Sequence, residues 1–117
     1  MTRTATTTLW RPIGQRELGL IAQSGFSRFP PRLPEQPIFY PVCNERYACE
    51  IAQKWNAKQR GVGFVTRFDV RTDFLAPYQR RIVGARHHEE LWIPAEELED
   101  LNDAIVGTIF VVREFRG

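Results

Sequence analysis

The stretch GVGFVTRFDV, residues 61–70, decides how the chain is read. Phe64, Thr66, Phe68 and Val70 alternate with Val65, Arg67 and Asp69. Successive side chains of an extended backbone point to opposite faces, so this spacing predicts a β-strand with one apolar face. Gly61 and Gly63 read as the turn that leads into it. Upstream of that turn the period changes. Tyr47, Ala48, Ile51, Ala52 and Trp55 recur at helical spacing, with Asn44 suited to cap the helix start and Glu45 favourable in its first turn.

Working outward in both directions gives the remaining elements. Residues 72–78 read as a single helical turn stopped by Pro77. Residues 79–83 and 89–93 read as two strands joined through Gly84, Ala85 and Arg86. Pro94 closes the second of these and opens a short acidic helix over residues 95–102, before a last strand at residues 108–115. On the N-terminal side, residues 38–42 form a short strand. Residues 26–37 contain Pro30, Pro31, Pro34 and Pro37 and predict an extended loop, because proline fixes φ and removes the amide donor. Leu18, Ile21 and Ala22 mark one stripe of a helix over residues 14–24, ended by Gly25. A first strand spans residues 6–11 and is interrupted by Pro12. Early helices followed by strands on tight links predict an α+β fold: one domain over residues 1–117, a mainly antiparallel sheet that is split or bent, and two principal helices. Residues 1–6 are expected to be flexible.

The totals agree with one folded unit. A chain of 117 residues, 43% hydrophobic and 26% charged, can bury one core without metal or disulfide support. The net charge of +2 is too small to imply a nucleic-acid partner. The charge is unevenly spread, however. Lys58, Arg60, Arg67, Arg71, Arg80, Arg81 and Arg86 precede an acidic block from Glu89 to Asp103 that contains no Lys or Arg. Cys43 and Cys49 are expected to be reduced and unpaired, the second lying within a helix. Residues 1–8 lack the apolar core of a signal peptide, and no apolar run approaches the ~20 residues needed to cross a bilayer. The cytoplasm is therefore the expected address, with no membrane partner.

Several chemistries lack their motifs. There is no Walker-type glycine loop, no dinucleotide glycine fingerprint, no paired CxxC and no HExxH. His87 and His88 are the only histidines, and on a strand they would face opposite ways, which argues against a shared metal. One of them, His88, is a candidate for lining a pocket beside Glu89 or Glu90. Either glutamate stands at the head of the apolar run Leu91, Trp92, Ile93, where a carboxylate becomes partly buried.

Three short patterns carry a family resemblance. Leu9, Trp10, Arg11 and Pro12, leading into a helix that ends at Gly25, resemble the opening of ADP-ribosyltransferase-like domains. Ile38, Phe39 and Tyr40 before the helix of Ala48 and Ala52 resemble the next unit of that family. Glu90, Leu91, Trp92, Ile93 and Pro94 resemble its third, a glutamate opening a strand that closes in proline. Through FPPRLPEQPIFYPV, residues 29–42, the chain is also similar to small bacterial proteins, some of which carry the name ADP-ribosylation/crystallin J1.

The resemblance implies NAD as a substrate. Arg11 would meet a ribose or phosphate, Tyr40 would stack on nicotinamide, and Glu90 would be the catalytic carboxylate that stabilises positive charge developing on the ribose. Arg32, with Arg28 beside it on the proline loop, would meet phosphates, and His88 completes the candidate cofactor set. No resident metal is implied. The rival expectation is a noncatalytic protein-interaction module that presents the stiff proline segment to a partner.

Overall fold

The strand read first, β3 (Val62–Arg71), is the middle of the main sheet. The structure is a computed structural model and describes residues 5–117. β1 (Thr6–Ile13) and β7 (Ile105–Arg116) flank β3, both antiparallel to it. Alternation along β3 sorts its side chains as the sequence predicts. Val62, Phe64, Phe68 and Val70 enter a large apolar cluster with Leu9, Ile13, Phe29 and Phe39. The opposite face is not left open. From Val62 to Thr66 the strand is buried on both sides, and Val65 joins Val42, Ala48 and Ala52 in a second, smaller cluster.

That second face is covered by the helical region of residues 45–60. α1 (Gln15–Gln23) precedes it in the chain, and α2 (Glu45–Ile51) begins where Asn44 caps it, the Asn44 side chain accepting the Tyr47 N–H at 2.8 Å. After Ile51 the helix loosens into a π-helical stretch, Ala52–Ala57, and tightens again into α3 (Lys58–Arg60). The buried alanines record the change of pitch: Ala48 and Ala52 are four apart, Ala52 and Ala57 five. Trp55, expected on the buried stripe, is rotated outward and is 60% exposed.

Gly63 explains how closely this region lies on the sheet. A Cβ there would stand 2.4 Å from the Ala52 carbonyl oxygen and 2.8 Å from Asn56 Cβ. Gly63 is thus a point of close backbone approach within β3, and Gly61, at φ +82°, alone makes the turn.

The remaining strands form a ladder beside β1. β2 (Ile38–Phe39) pairs with β6 (Ile93–Pro94), and β4 (Arg81–Ile82) pairs with β5 (Glu89–Glu90), all antiparallel. Backbone bonds from Cys43 N–H to Glu89 O, Leu91 N–H to Pro41 O and Ala95 N–H to Pro37 O keep residues 37–43 and 89–95 in one register. Val42 bridges Trp10 on one side and Glu90 on the other, which attaches this ladder to the outer edge of β1. The chain is therefore an α+β protein with split, antiparallel sheets.

The other elements follow expectation with local changes. α1 buries Ile21, packs Leu18 at the core edge and leaves Ala22 exposed. It ends as Gly25 N–H bonds Ala22 O and Phe26 N–H bonds Ile21 O. α4 (Thr72–Leu75) is the single turn expected before Pro77. A 3-10 turn, Ala95–Glu97, leads into α5 (Leu98–Ala104). Of the residues expected to be flexible, 1–4 lie outside the described residues, whereas Thr6 is paired with Arg71 and Ala5 O accepts the Thr72 N–H.

The proline segment is tied down at its root. Phe29 is buried against Phe39 and Phe68, with ring centroids 5.1 and 4.8 Å away. Buried Asn102 of α5 accepts the Phe29 N–H at 2.9 Å and donates to the Phe29 carbonyl at 3.0 Å. Arg28 pairs with Glu99 and Asp103 of the same helix at 2.7 and 3.0 Å, so it is committed to the acidic block. Cys43 and Cys49 are free thiols, and burial raises Cys43 to about 11. Among the described residues no helix is long and apolar enough to cross a membrane.

Candidate functional site

A missing amide opens the site. Trp10 N–H and C=O bond Val42 at 2.9 and 2.7 Å across the outer edge of β1. In an antiparallel ladder the next residue of β1 with the same outward orientation is Pro12, and its partner by that register would be Tyr40. Pro12 has no N–H to offer, so one of the two bonds of that pair cannot form and the ladder is weakened there. Pro12 itself stays in β1, opposite Val65, because the pairing with β3 uses the other edge. The expected interruption at Pro12 therefore falls on one side of the strand only.

Beyond that break lies a hollow of about 440 Å³ lined by Arg11, Pro12, Tyr40, Val42, Ile51, Trp55, Asn56, Glu90 and Trp92. Three of the residues singled out from the sequence, Arg11, Tyr40 and Glu90, meet here although they come from three separate segments. A second hollow of about 420 Å³ adjoins it, sharing Arg11, Pro12 and Asn56 and adding Arg16, Arg32 and Arg60.

Arg11 occupies a position between Leu9 and Ile13, both fully buried, and is itself 8% exposed. Its guanidinium lies 4.4 Å over the Phe39 ring and is held by Glu17 of α1, Nε donating at 2.7 Å and Nη2 at 3.0 Å. Those bonds leave Nη1 unpaired among the described residues. Arg32 also lies over the Phe39 ring, 5.9 Å from the centroid, with its Nε buried and unpaired. Burial, reinforced by the charge of Arg11, lowers Arg32 below the ordinary arginine value. Asn56 Oδ1 is likewise buried without a partner, on the wall common to both hollows. Unpaired buried polar atoms cost about 1–3 kcal/mol each, so Arg32 Nε and Asn56 Oδ1, together with the unpaired Nη1 of Arg11, mark a place that a polar ligand would satisfy.

Glu90 rather than Glu89 faces the hollow. Glu89 pairs with Arg80 at 2.9 Å, whereas Glu90 is 8% exposed and has no cationic partner among the described residues. Its Oε1 accepts from Trp92 Nε1 at 2.7 Å and its Oε2 from the Tyr47 hydroxyl at 3.4 Å. Burial and the Glu90 charge raise Tyr47, which keeps the phenol protonated as a donor. Tyr40 stands opposite Trp92 across the ladder, edge to face at 6.1 Å, and Arg81 covers Trp92 at 4.3 Å.

His88 lies elsewhere. It and His87 fall in the β4–β5 connection, where a bond from Glu89 N–H to His87 O closes a tight turn around His88. A turn does not alternate its side chains as a strand does. Both imidazoles consequently point the same way, His87 Nε2 to Glu50 Oε1 at 2.7 Å and His88 Nε2 to Glu50 Oε2 at 2.9 Å. Bonds from His88 and then His87 hold the Glu50 carboxyl down at about 2. His88 also stacks on Tyr47 at 4.5 Å, which links this cluster to Glu90.

Sequence reasoning missed Tyr47, Trp55 and Asn56. Tyr47 and Trp55 read as one apolar helical stripe and Asn56 carries no signal of its own; the π-helical stretch that holds Trp55 and Asn56 sets both on the wall of the hollow. Comparison with protein-family models, with curated proteins and with solved structures finds no match for this chain in any of the three.

Proposed function

We propose that the paired hollows bind NAD or ADP-ribose, with a carboxylate placed for ADP-ribosyl transfer. The observation that supports this most is the meeting of Arg11, Tyr40 and Glu90 around one hollow. The two volumes each fall within the range of small-molecule sites, roughly 300–1,000 Å³. In this reading the diphosphate is met by Nη1 of Arg11 and by Arg32, whose fork geometry suits paired phosphate oxygens. The nicotinamide of NAD stacks against Tyr40, and Glu90 accepts from a ribose hydroxyl.

The same carboxylate has the charge that transfer requires. Breaking the glycosidic bond sends its electron pair to the departing nicotinamide and leaves positive charge on the ribose, which a buried, unpaired anion stabilises. An acceptor nucleophile then bonds to that carbon and releases its proton. Trp92 and Tyr47 fix the two oxygens of Glu90 in advance, which supports such a role.

Titration calorimetry of the whole chain with NAD and with ADP-ribose tests the reading. Binding of both is expected; that of NAD should be weakened about tenfold or more, ~1.4 kcal/mol, in Tyr40→Ala and in Glu90→Gln, and that of ADP-ribose in Glu90→Gln. Tyr40 is 39% exposed, so its replacement leaves the core intact. A folded protein that gives no heat at millimolar ligand refutes the proposal. Capture of a stable protein partner in that case would favour the interaction module instead.

A further inference from the structure

Glu50, His87 and His88 lie outside both hollows, and they bring two imidazole nitrogens and one carboxylate to a single point. We propose that this cluster is a binding site for a divalent transition metal of the zinc class, clamping the β4–β5 connection to α2. The proposal is independent of the nucleotide reading.

The donor atoms of the three residues lie within 4.8 Å of one another. Ligands of one tetrahedral zinc ion stand about 3.3 Å apart at zinc–nitrogen distances of about 2.0–2.1 Å, so only side-chain adjustment is needed. The carboxylate already sits between the two rings, accepting from each at 2.7 and 2.9 Å, and a cation replacing those two protons would move each nitrogen–oxygen pair apart to about 3.3 Å. Side-chain exposures of 22, 28 and 27% for His87, His88 and Glu50 leave an entry path and room for water as a further ligand. Two nitrogens and one oxygen select zinc, cobalt or nickel over magnesium and calcium, which require oxygen ligands.

The backbone supports the arrangement from both sides. Asn44 caps α2 and donates to the His87 carbonyl at 2.6 Å, fixing the helix relative to the turn. Gly84 is required for the ring of His88, since a Cβ there would stand 2.5 Å from Nδ1.

Two features oppose the metal, and neither is large enough to prevent it. Arg46 Nε lies 3.5 Å from Glu50 Oε1, but the Arg46 side chain is 73% exposed and free to swing into water. The Ala85 N–H donates to His88 Nδ1 at 3.0 Å, which places the His88 proton on Nε2. Ligation through Nε2 moves that proton off and gives up the Ala85 bond, a cost of roughly tenfold in affinity. Affinity on the order of micromolar is therefore expected, far short of a four-ligand structural site. Binding should also disturb the turn at Ala85.

The whole chain is titrated with Zn²⁺, and with Co²⁺ to read its visible absorption, against millimolar Mg²⁺ and Ca²⁺ as controls. Because the chain has two histidines, their ring proton signals report the site directly. One equivalent of Zn²⁺ should shift both rings and the Ala85 amide, and Mg²⁺ and Ca²⁺ should shift none. Affinity should fall at least tenfold in Glu50→Gln and in His87→Gln, and persist in a Cys43→Ser, Cys49→Ser variant. Either ring unmoved at 100 µM Zn²⁺, or binding lost with the cysteines and kept without Glu50, overturns the proposal.

Discussion

The two faces of the β1–β3–β7 sheet are built to different standards. On one, Phe64, Phe68 and Val70 enter a continuous apolar cluster in which Phe29, Phe39, Leu9 and Ile13 are at most 1% exposed. On the other, small side chains, Val65, Ala48 and Ala52, let a helix settle close to the strand, and the hollows open at the sheet edge between the two, with Arg11 and Arg32 lying over Phe39 of the first face and Asn56 coming from the helical region on the second. The first face holds the fold together through area removed from water. The second trades packing for close backbone approach, and the room for chemistry lies at the edge the two faces share. The contrast teaches that burial alone does not separate structure from function in this chain, since Arg11 and Glu90 are both only 8% exposed.

The contrast can be broken most directly at Phe68. Phe68→Ala removes a ring at the centre of the packed face and should cost about 3–5 kcal/mol in urea unfolding. A loss below about 1 kcal/mol would mean that this face is not the main support. A smaller effect is expected on the other side. Gly63→Ala introduces a Cβ against the Ala52 carbonyl and should cost about 1–3 kcal/mol, with amide shifts concentrated between Ala52 and Asn56. Shifts spread evenly through the sheet would show that the helix does not rest on that contact.

The smallest effect concerns Glu50 and depends on pH. Its carboxyl is held at about 2 from an ordinary 4.5, so the stability it contributes is whole above pH 4.5 and is lost as the pH falls toward 2. Glu50→Gln should therefore lower the urea midpoint at pH 6, and the gap from the natural chain should close between pH 4.5 and 2. A gap that is constant over that window would show that the carboxylate charge is not what matters.

How much of this was legible in the sequence depends on the range of the interaction concerned. The alternation in β3, the Asn44 cap and the Gly25 stop are local, and each follows from residue type and spacing. Arg11, Tyr40 and Glu90 could be singled out but their meeting could not, because it depends on the shared register of residues 37–43 and 89–95. Burial of both faces of β3 was hidden, since Val65 reads as an exposed alternate until a helix is known to cover it. The outward turn of Trp55 comes from one extra residue per helical turn, which propensity does not encode. The two histidines face opposite ways only where a strand period holds, and residues 87–88 form a turn instead.

Pro12 carries a consequence beyond its own position. Were an ordinary residue to stand there, its free donor would invite the seam between Tyr40 and β1 to zip shut, filling the very gap where a guest could sit. Proline keeps only its carbonyl for such a closure, the half-bonding that Pro37 and Pro41 show in the neighbouring ladder, so vacancy at this edge is favoured by the covalent chain itself.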